Sequence, residues 1–276
     1  MRPAHAADTP AIRAFLLDHA PTAMFPLSNL ARFGTSGDHP RVVSFWLAEQ
    51  GGRITDVLTV SNEGMVFPQC NSGDWNAVAQ ALGGVGIKGV IGDAKQVAAF
   101  SKTAGFGTPD GLDMCEPHYQ LSLKDIIMPD TQNHDLIPLA AIPVSQAIGW
   151  REAFCEEALN FPTGTARQKA TDDINSFVAQ GTHRVLTMNG EPVAMTGFNA
   201  VLPDIVQVGG VYTPPQNRGQ GFARRAVAMH LSQAGAPQSV LSAATPSAAR
   251  AYEAIGYRQI GEFAFAVWSE KQVIHG

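Results

Sequence analysis

The sequence predicts an α/β fold built from two similar units. Segments with helical period and segments with strand alternation follow one another along most of the chain. Their order in the first half recurs in the second. The length of 276 residues suits two domains of ordinary size better than one.

In the first half, residues 9–19 read as a helix, with Ile12, Phe15 and Leu16 on one face. Strand patterns follow at 41–49, 53–61 and 64–69. Residues 74–82 read as a helix with Asp74 at its start. A buried strand at 88–91 and a helix at 94–103, stopped at Gly105, complete the half. The expected division is a first unit over 1–128, a linker over 129–143 that holds prolines and aspartates, and a second unit over 144–276.

The second half repeats this order. Residues 144–159 and 166–179 carry helical patterns. Strands are expected at 183–188, 192–201 and 205–213, with Asn189-Gly190 as the hairpin turn between the first two. The segment "PPQNRGQGFARRAV" (214–227) then runs from a glycine-broken turn into a helix that reaches about residue 234. A strand at 239–243, a helix at 247–255 and a last strand at 257–268 follow. "GDAKQVAAFSKTAGF" (92–106) and "ATPSAARAYEAIGY" (244–257) both set a short helix before Gly-aromatic, consistent with a tandem repeat of one unit.

Composition excludes several functions. The chain is 45% hydrophobic and 16% charged, as in globular proteins. Its net charge of −5 argues against nucleic-acid binding. No apolar run approaches the ~20 residues of a membrane span, and the N-terminus lacks signal-peptide character. Cys70, Cys115 and Cys155 are scattered, so neither a disulfide framework nor a zinc site is expected. A cytoplasmic location with reduced thiols fits, with no metal.

Residues 214–227 fail both common nucleotide patterns. No GxxxxGK[ST] occurs, and Arg224 stands where the third glycine of GxGxxG belongs. The physics of anion binding still applies. The first turn of a helix leaves amides unpaired at the positive end of the dipole, and Gly219 and Gly221 clear the approach. Residues 205–252 contain no Asp or Glu but four arginines, Arg218, Arg224, Arg225 and Arg250. That asymmetry points to a polyanion site; the other reading is an ordinary helix start with solvated arginines.

The residues Gln216-Asn217-Arg218-Gly219-Gln220-Gly221-Phe222-Ala223 resemble Q/R-x-x-G-x-G/A, the acyl-CoA pyrophosphate motif of the GNAT N-acyltransferase superfamily. The motif lies between a strand and a helix, as in that family. About 30 residues on, "PSAARAYEAIGY" looks like the family's second signature. The resemblance covers about 140–276; the first half resembles a GNAT unit only in element order. It implies two units, each a central mixed, mostly antiparallel sheet flanked by helices, the first having lost its cofactor equipment. The second would bind acetyl-CoA without a metal. Val211, Tyr212 and Thr213 would line the pantetheine arm, Gly209-Gly210 would mark where neighbouring strands splay, and Gln216, Arg218, Gly219, Gln220, Gly221, Phe222, Ala223 and Arg224 would cradle the pyrophosphate. Ser247 stands where many relatives use Asn on the cofactor. Tyr252 would protonate the leaving thiolate; its other reading is a core aromatic.

The implied reaction is N-acetyl transfer to a primary amine of a small molecule, an amino-acid derivative or a protein. A general base is then needed. The strand at 205–213 carries no carboxylate, and Gln207 cannot serve. Asp204, Glu156, Glu157, His183 and His230 all have plain structural readings, so no base is assigned. A catalytically inactive CoA-binding sensor is the alternative, and transfer from aminoacyl-tRNA a third reading that the acidic net charge disfavours. No nucleic-acid or membrane partner is expected; homodimer and monomer stay open.

Overall fold

The structure, a computed structural model, describes residues 1–274. In chain order the elements are β1 (Arg2–Pro3), α1 (Thr9–Asp18), α2 (Ala20–Phe33), β2 (Val43–Gln50), β3 (Arg53–Ser61), β4 (Met65–Cys70), α3 (Trp75–Ala81), β5 (Gly86–Asp93), α4 (Ala94–Thr103) and β6 (Leu112–Ser122). They continue as β7 (His134–Pro138), α5 (Val144–Leu159), α6 (Ala166–Gln180), β8 (His183–Met188), β9 (Glu191–Val201), β10 (Ile205–Tyr212), α7 (Phe222–Leu231), β11 (Gln238–Ser242), α8 (Pro246–Glu253) and β12 (Arg258–Val273).

Local chemistry explains most boundaries. Asp74 caps α3 by accepting from the Ala77 amide, and Asp93 caps α4 by accepting from Lys95 and Gln96. Thr245 does the same for α8 through Ala248. Asn160 and Gly181 end α5 and α6 in left-handed conformation.

The chain divides into two compact units, each discontinuous in sequence. One is Met1–Glu116 with the chain from Gly261 onward; the other is Pro117–Ile260. In the first, strands lie in the order β1-β2-β3-β4-β5-β12, antiparallel except for β4 and β5. In the second the order is β7-β8-β9-β10-β11-β6, antiparallel except for β10 and β11. The two units therefore repeat one topology, but each takes its last strand from across the sequence. Pairing of β6 with β11 runs through residues 118–122, and pairing of β12 with β5 through 263–273.

The division expected from the sequence, at 1–128, 129–143 and 144–276, is continuous. A continuous division has no place for that exchange, because strand partners are set by register rather than by order along the chain. Residues 134–138, read as linker, form β7 and pair with β8. Helix α2 and strand β6 also escaped pattern reading. Helix α2 holds Pro21 and Pro26 and a kink at Ala23, which hide its period. Strand β6 includes Pro117 and two acids, Asp113 and Glu116, which weaken its alternation.

In the first unit, Leu58, Val66, Ile87, Phe100 and Trp268 form the core. In the second, α5 and α6 cover one face of the sheet, with Ala147, Ile174, Val185, Met195 and Tyr212 between them. On the opposite face α7 and α8 pack through Val227, Leu231 and Tyr252 against Val206, Val208 and Leu241. Each fully buried side chain of this size stabilises by about 1.5–3 kcal/mol.

Candidate functional site

The chain leaves β10 at Tyr212 and makes one tight turn at Pro215–Asn217 before α7 begins at Phe222. Gly219 and Gly221 have φ of 79° and 77°, a region that costs other residues about 1 kcal/mol or more. Gly221 is the N-cap, and no side chain caps this helix. The first bond of the helical ladder runs from the Arg225 amide to the Gly221 carbonyl at 3.2 Å. The amides of Gly219 through Arg224 therefore have no acceptor among the described residues.

The four arginines have different fates. Arg218 donates from Nε to the Thr213 carbonyl at 2.9 Å and from its terminal nitrogen to Glu157 of α5 at 2.5 Å. Its guanidinium also lies 5.8 Å from the centre of the Tyr212 ring. Arg225 donates to the carbonyls of Asp130 and Gln220, both at 2.7 Å. These two brace the loop. Arg224 differs: its Nε is buried and has no partner. Arg250, on α8, is exposed. A Cβ at Gly221 would stand 3.0 Å from Arg224 Nε and from an Arg225 terminal nitrogen, so glycine lets two cations lie close to the bare amides.

Beside the loop, the two parallel strands part. β10 pairs with β11 only through Ile205, Val206 and Gln207. Between Gly209 and Tyr212 its register against β9 shifts, and Gly210 takes φ of 63°. The Thr213 amide has no backbone partner, and its buried hydroxyl has none either. Gln207 is buried with its side-chain oxygen unpartnered. The Asn199 side chain lies directly over Gly209, where any Cβ would come within 2.0 Å of it.

The remaining expected residues fall around this opening. Val211 is half-buried, and Tyr212 is buried with its ring 6.4 Å from Trp150. Burial, helped by the Glu157 carboxylate, raises the Tyr212 phenol above its usual range. Gln216 and Gln220 are exposed, and the Gln216 carbonyl accepts from the Gln220 side chain at 3.5 Å. The Phe222 ring belongs to the core, packed with Leu186, Val193 and Ala226, so only its amide faces the loop; Ala223 is half-buried. Ser247 is exposed in the first turn of α8. Tyr252 is 7% exposed, in one cluster with Tyr119, Val208 and Leu241. Its ring centre lies 6.1 Å from that of Tyr257, whose hydroxyl pairs with Ser239 at 2.6 Å.

Two histidines near the opening are buried and lose their basicity. His183 stacks on Phe177 at 3.6 Å and fills the space left by Gly197 and Gly210. Burial, with Arg151 adding repulsion, pushes its pKa down to about 3. His230 stacks on Phe198 at 3.9 Å, and burial pushes it down to about 3 as well. Both are neutral at pH 7.

Sequence reading passed over three residues of this neighbourhood. His118 and Ser242 stand opposite each other on β6 and β11, with His118 Nδ1 and Ser242 Oγ 3.1 Å apart. Asn199 is the third. Nothing local marks them, because only strand register brings them together.

Two surface grooves of about 470 and 270 Å³ lie elsewhere in this unit, the first lined by Leu123, Leu231 and Pro237, the second by Ile142, Ala147 and Ile174. The candidate site is marked by its vacant hydrogen-bonding groups. Among the described residues no cluster of His, Cys, Asp or Glu could hold a metal, and no helix is long and apolar enough to cross a membrane. Cys70 and Cys155 are buried and free, and Cys115 is exposed and free.

No protein-family model matches the chain, and no curated protein matches its sequence. Solved structures do match. A GNAT-family acetyltransferase from Colwellia psychrerythraea aligns with TM-score 0.53 and 13% identity over 98% of this chain and 99% of that one. A GCN5-related N-acetyltransferase from Sphaerobacter thermophilus aligns with TM-score 0.56 and 14% identity over 100% and 95%. A tandem GNAT protein from the clavulanic acid biosynthesis pathway aligns with TM-score 0.53 and 12% identity over 96% of each chain. The chain has the fold of the GNAT acetyltransferases.

Proposed function

We propose that this chain is an acetyl-CoA-dependent N-acetyltransferase that acts on a primary amine of a small molecule, an amino-acid derivative or a protein, with its site in the second unit. One observation carries the reading. A run of unpaired amides at the start of α7 lies beside Arg224, whose buried Nε also lacks a partner. The Arg224 Nε is a buried donor without an acceptor, which costs on the order of 1–3 kcal/mol, and the loop amides converge where a pyrophosphate could accept from several donors at once. The parted strands next to the loop suit an extended arm, which could pair with the vacant Thr213 amide.

In this reading Gly219 to Arg224 bind the pyrophosphate, and Val211 to Thr213 hold the pantetheine arm. Ser247, exposed at the start of α8, lies on the cofactor side, and Gln216 shapes the turn. A backbone amide of the bulged strand polarises the thioester carbonyl. Tyr252 gives a proton to the departing thiolate. The amine attacks the carbonyl directly, in a cytoplasmic protein that needs no metal.

The first unit supports its own exclusion from this chemistry. Its parallel pair, β4 and β5, also parts early, after Val66. There, however, Gln96 of α4 supplies its side-chain oxygen to the Cys70 amide at 2.7 Å. The first turn of α3 is occupied by the Asp74 carboxylate, whose charge would repel phosphate. Both features that are open in the second unit are closed in the first, consistent with a degenerate copy.

Calorimetry of acetyl-CoA with the full chain tests the reading. One site per chain is expected; two sites would sink the degenerate first unit, and none would sink the whole proposal. Thiol release with a panel of amines then separates an enzyme from the alternative, a CoA-binding sensor, which the absence of a carboxylate on β10 favours. Tight binding with no release from any amine would establish the sensor.

A further inference from the structure

We propose that Ser242 and His118 form the proton-accepting pair of the acyl transfer, Ser242 touching the amine and His118 taking its proton. The inference rests on the acyltransferase reading above and supplies the base that β10 lacks.

Register places the pair. Gln207 on β10 is level with Val240 on β11, which is level with Gln120 on β6. Two residues further along β10 and β11 stand Gly209 and Ser242, and Ser242 is opposite His118. Paired residues on neighbouring strands project from the same face, and alternate residues along a strand share a face. Across the other side of β10, Gly209 is level with Gly197, and Gly197 with His183. His183 stacks on Phe177 of α6, so this row lies on the α5–α6 face. Leu241 and Tyr119, one step away, belong to the opposite face and pack with Tyr252.

The parting of β10 and β11 falls between Gly209 and Ser242. One bank carries Asn199 over Gly209; the other carries the Ser242 hydroxyl with His118 behind it. Ser242 is half-buried and His118 is 1% exposed, so the hydroxyl is the group nearer solvent. The leaving-group acid Tyr252 and this pair lie on opposite faces of the sheet. The proton taken from nitrogen and the proton given to sulfur therefore pass through separate groups.

The step balances. The amine nitrogen forms its bond to the thioester carbonyl carbon, and the C–S bond breaks with its electron pair going to sulfur. The surplus proton on nitrogen passes to Ser242 Oγ as the Ser242 hydroxyl proton passes to His118 Nδ1. Tyr252 protonates the thiolate. Solvent later takes the proton from His118 and returns one to Tyr252.

Ser242→Ala, Ser242→Thr and His118→Asn test the pair in the full chain, read as kcat and KM for the amine and as acetyl-CoA affinity. Removing a general base costs about 100-fold or more in turnover. Ser242→Ala should lower kcat by about 30-fold or more with acetyl-CoA affinity within about twofold of wild type. Ser242→Thr keeps the hydroxyl and should restore most of the rate. Combining Ser242→Ala with His118→Asn should cost little more than either alone, because the pair acts as a unit. Ser242→Ala at near wild-type kcat, or losses that multiply, would overturn the assignment even if His118→Asn proved unstable. A wild-type chain that binds acetyl-CoA but releases no thiol overturns the acyl-transfer reading itself, and this assignment with it.

Discussion

Arg218 donates to the Glu157 carboxylate at 2.5 Å, and that contact decides which arginine of the loop is left for a ligand. With Arg218 tied to α5 and to the Thr213 carbonyl, and Arg225 tied to two carbonyls, Arg224 is the loop cation with a buried vacancy. Arg224→Ala should weaken acetyl-CoA binding by about tenfold or more, the loss expected for a charge-assisted contact of 1.5–3 kcal/mol. Glu157→Gln should weaken it less, because both partners are about half exposed and such pairs contribute under about 1 kcal/mol. Calorimetry on both variants ranks them; the reverse order would refute the sorting.

Gly221→Ala should cost both stability and affinity. The residue sits at φ of 77°, and a Cβ would press on two guanidinium groups at 3.0 Å. The backbone penalty is about 1 kcal/mol, a few degrees in melting temperature for a chain of this size. Displacement of Arg224 should add a loss of acetyl-CoA affinity. Gly219→Ala, with nothing within 4 Å of its Cβ position, should show the strain without crowding the arginines. Thermal melts and titrations of the two variants separate these effects.

Tyr252→Phe should lower turnover by about 10- to 100-fold and leave acetyl-CoA affinity nearly unchanged. The ring is 7% exposed within a packed cluster, so phenylalanine preserves its volume and the fold. Stopped-flow thiol release beside a binding isotherm distinguishes a lost proton donor from a lost contact. An unchanged rate would leave Tyr252 as a core aromatic.

Stability should fall as the solution is acidified below about pH 6.5. His183 and His230 are held near 3 when folded and titrate near 6.5 when unfolded. Between those values the unfolded chain binds protons that the folded chain refuses, so folding weakens as pH falls. Each histidine contributes a slope of about 1.4 kcal/mol per pH unit. Urea titrations between pH 7 and 5 read this directly. His183→Phe, which keeps the stack on Phe177, should flatten the slope.

The site was legible where chemistry is local. Gly219 and Gly221 mark a helix start that needs no side-chain cap, and the acid-free run at 205–252 marks its charge. The parting of the strands was expected at Gly209-Gly210, and β10 leaves β11 just before them, after Gln207. The division of labour among the arginines was not legible. Arg218, Arg224 and Arg225 share one residue type, and the carboxylate and carbonyls that occupy two of them lie at Glu157, Thr213 and Asp130, set by folding. Asp74 illustrates the same limit: it reads as an ordinary helix cap, and only the comparison of α3 with α7 gives it meaning as a closed anion seat.

By itself the sequence determined the repeated α/β order, the strand–turn–helix unit at 205–231 and the bare amides within it. These depend on period, turn residues and glycine, which act over a few neighbouring positions. Tertiary structure decided that β6 and β12 each complete the sheet of the other half's unit, that Gln96 covers the Cys70 amide, and that Ser242 meets His118. Strand register sets the last of these, and register is chosen by the packing of whole faces, where a slip of one residue would turn every side chain to the wrong side.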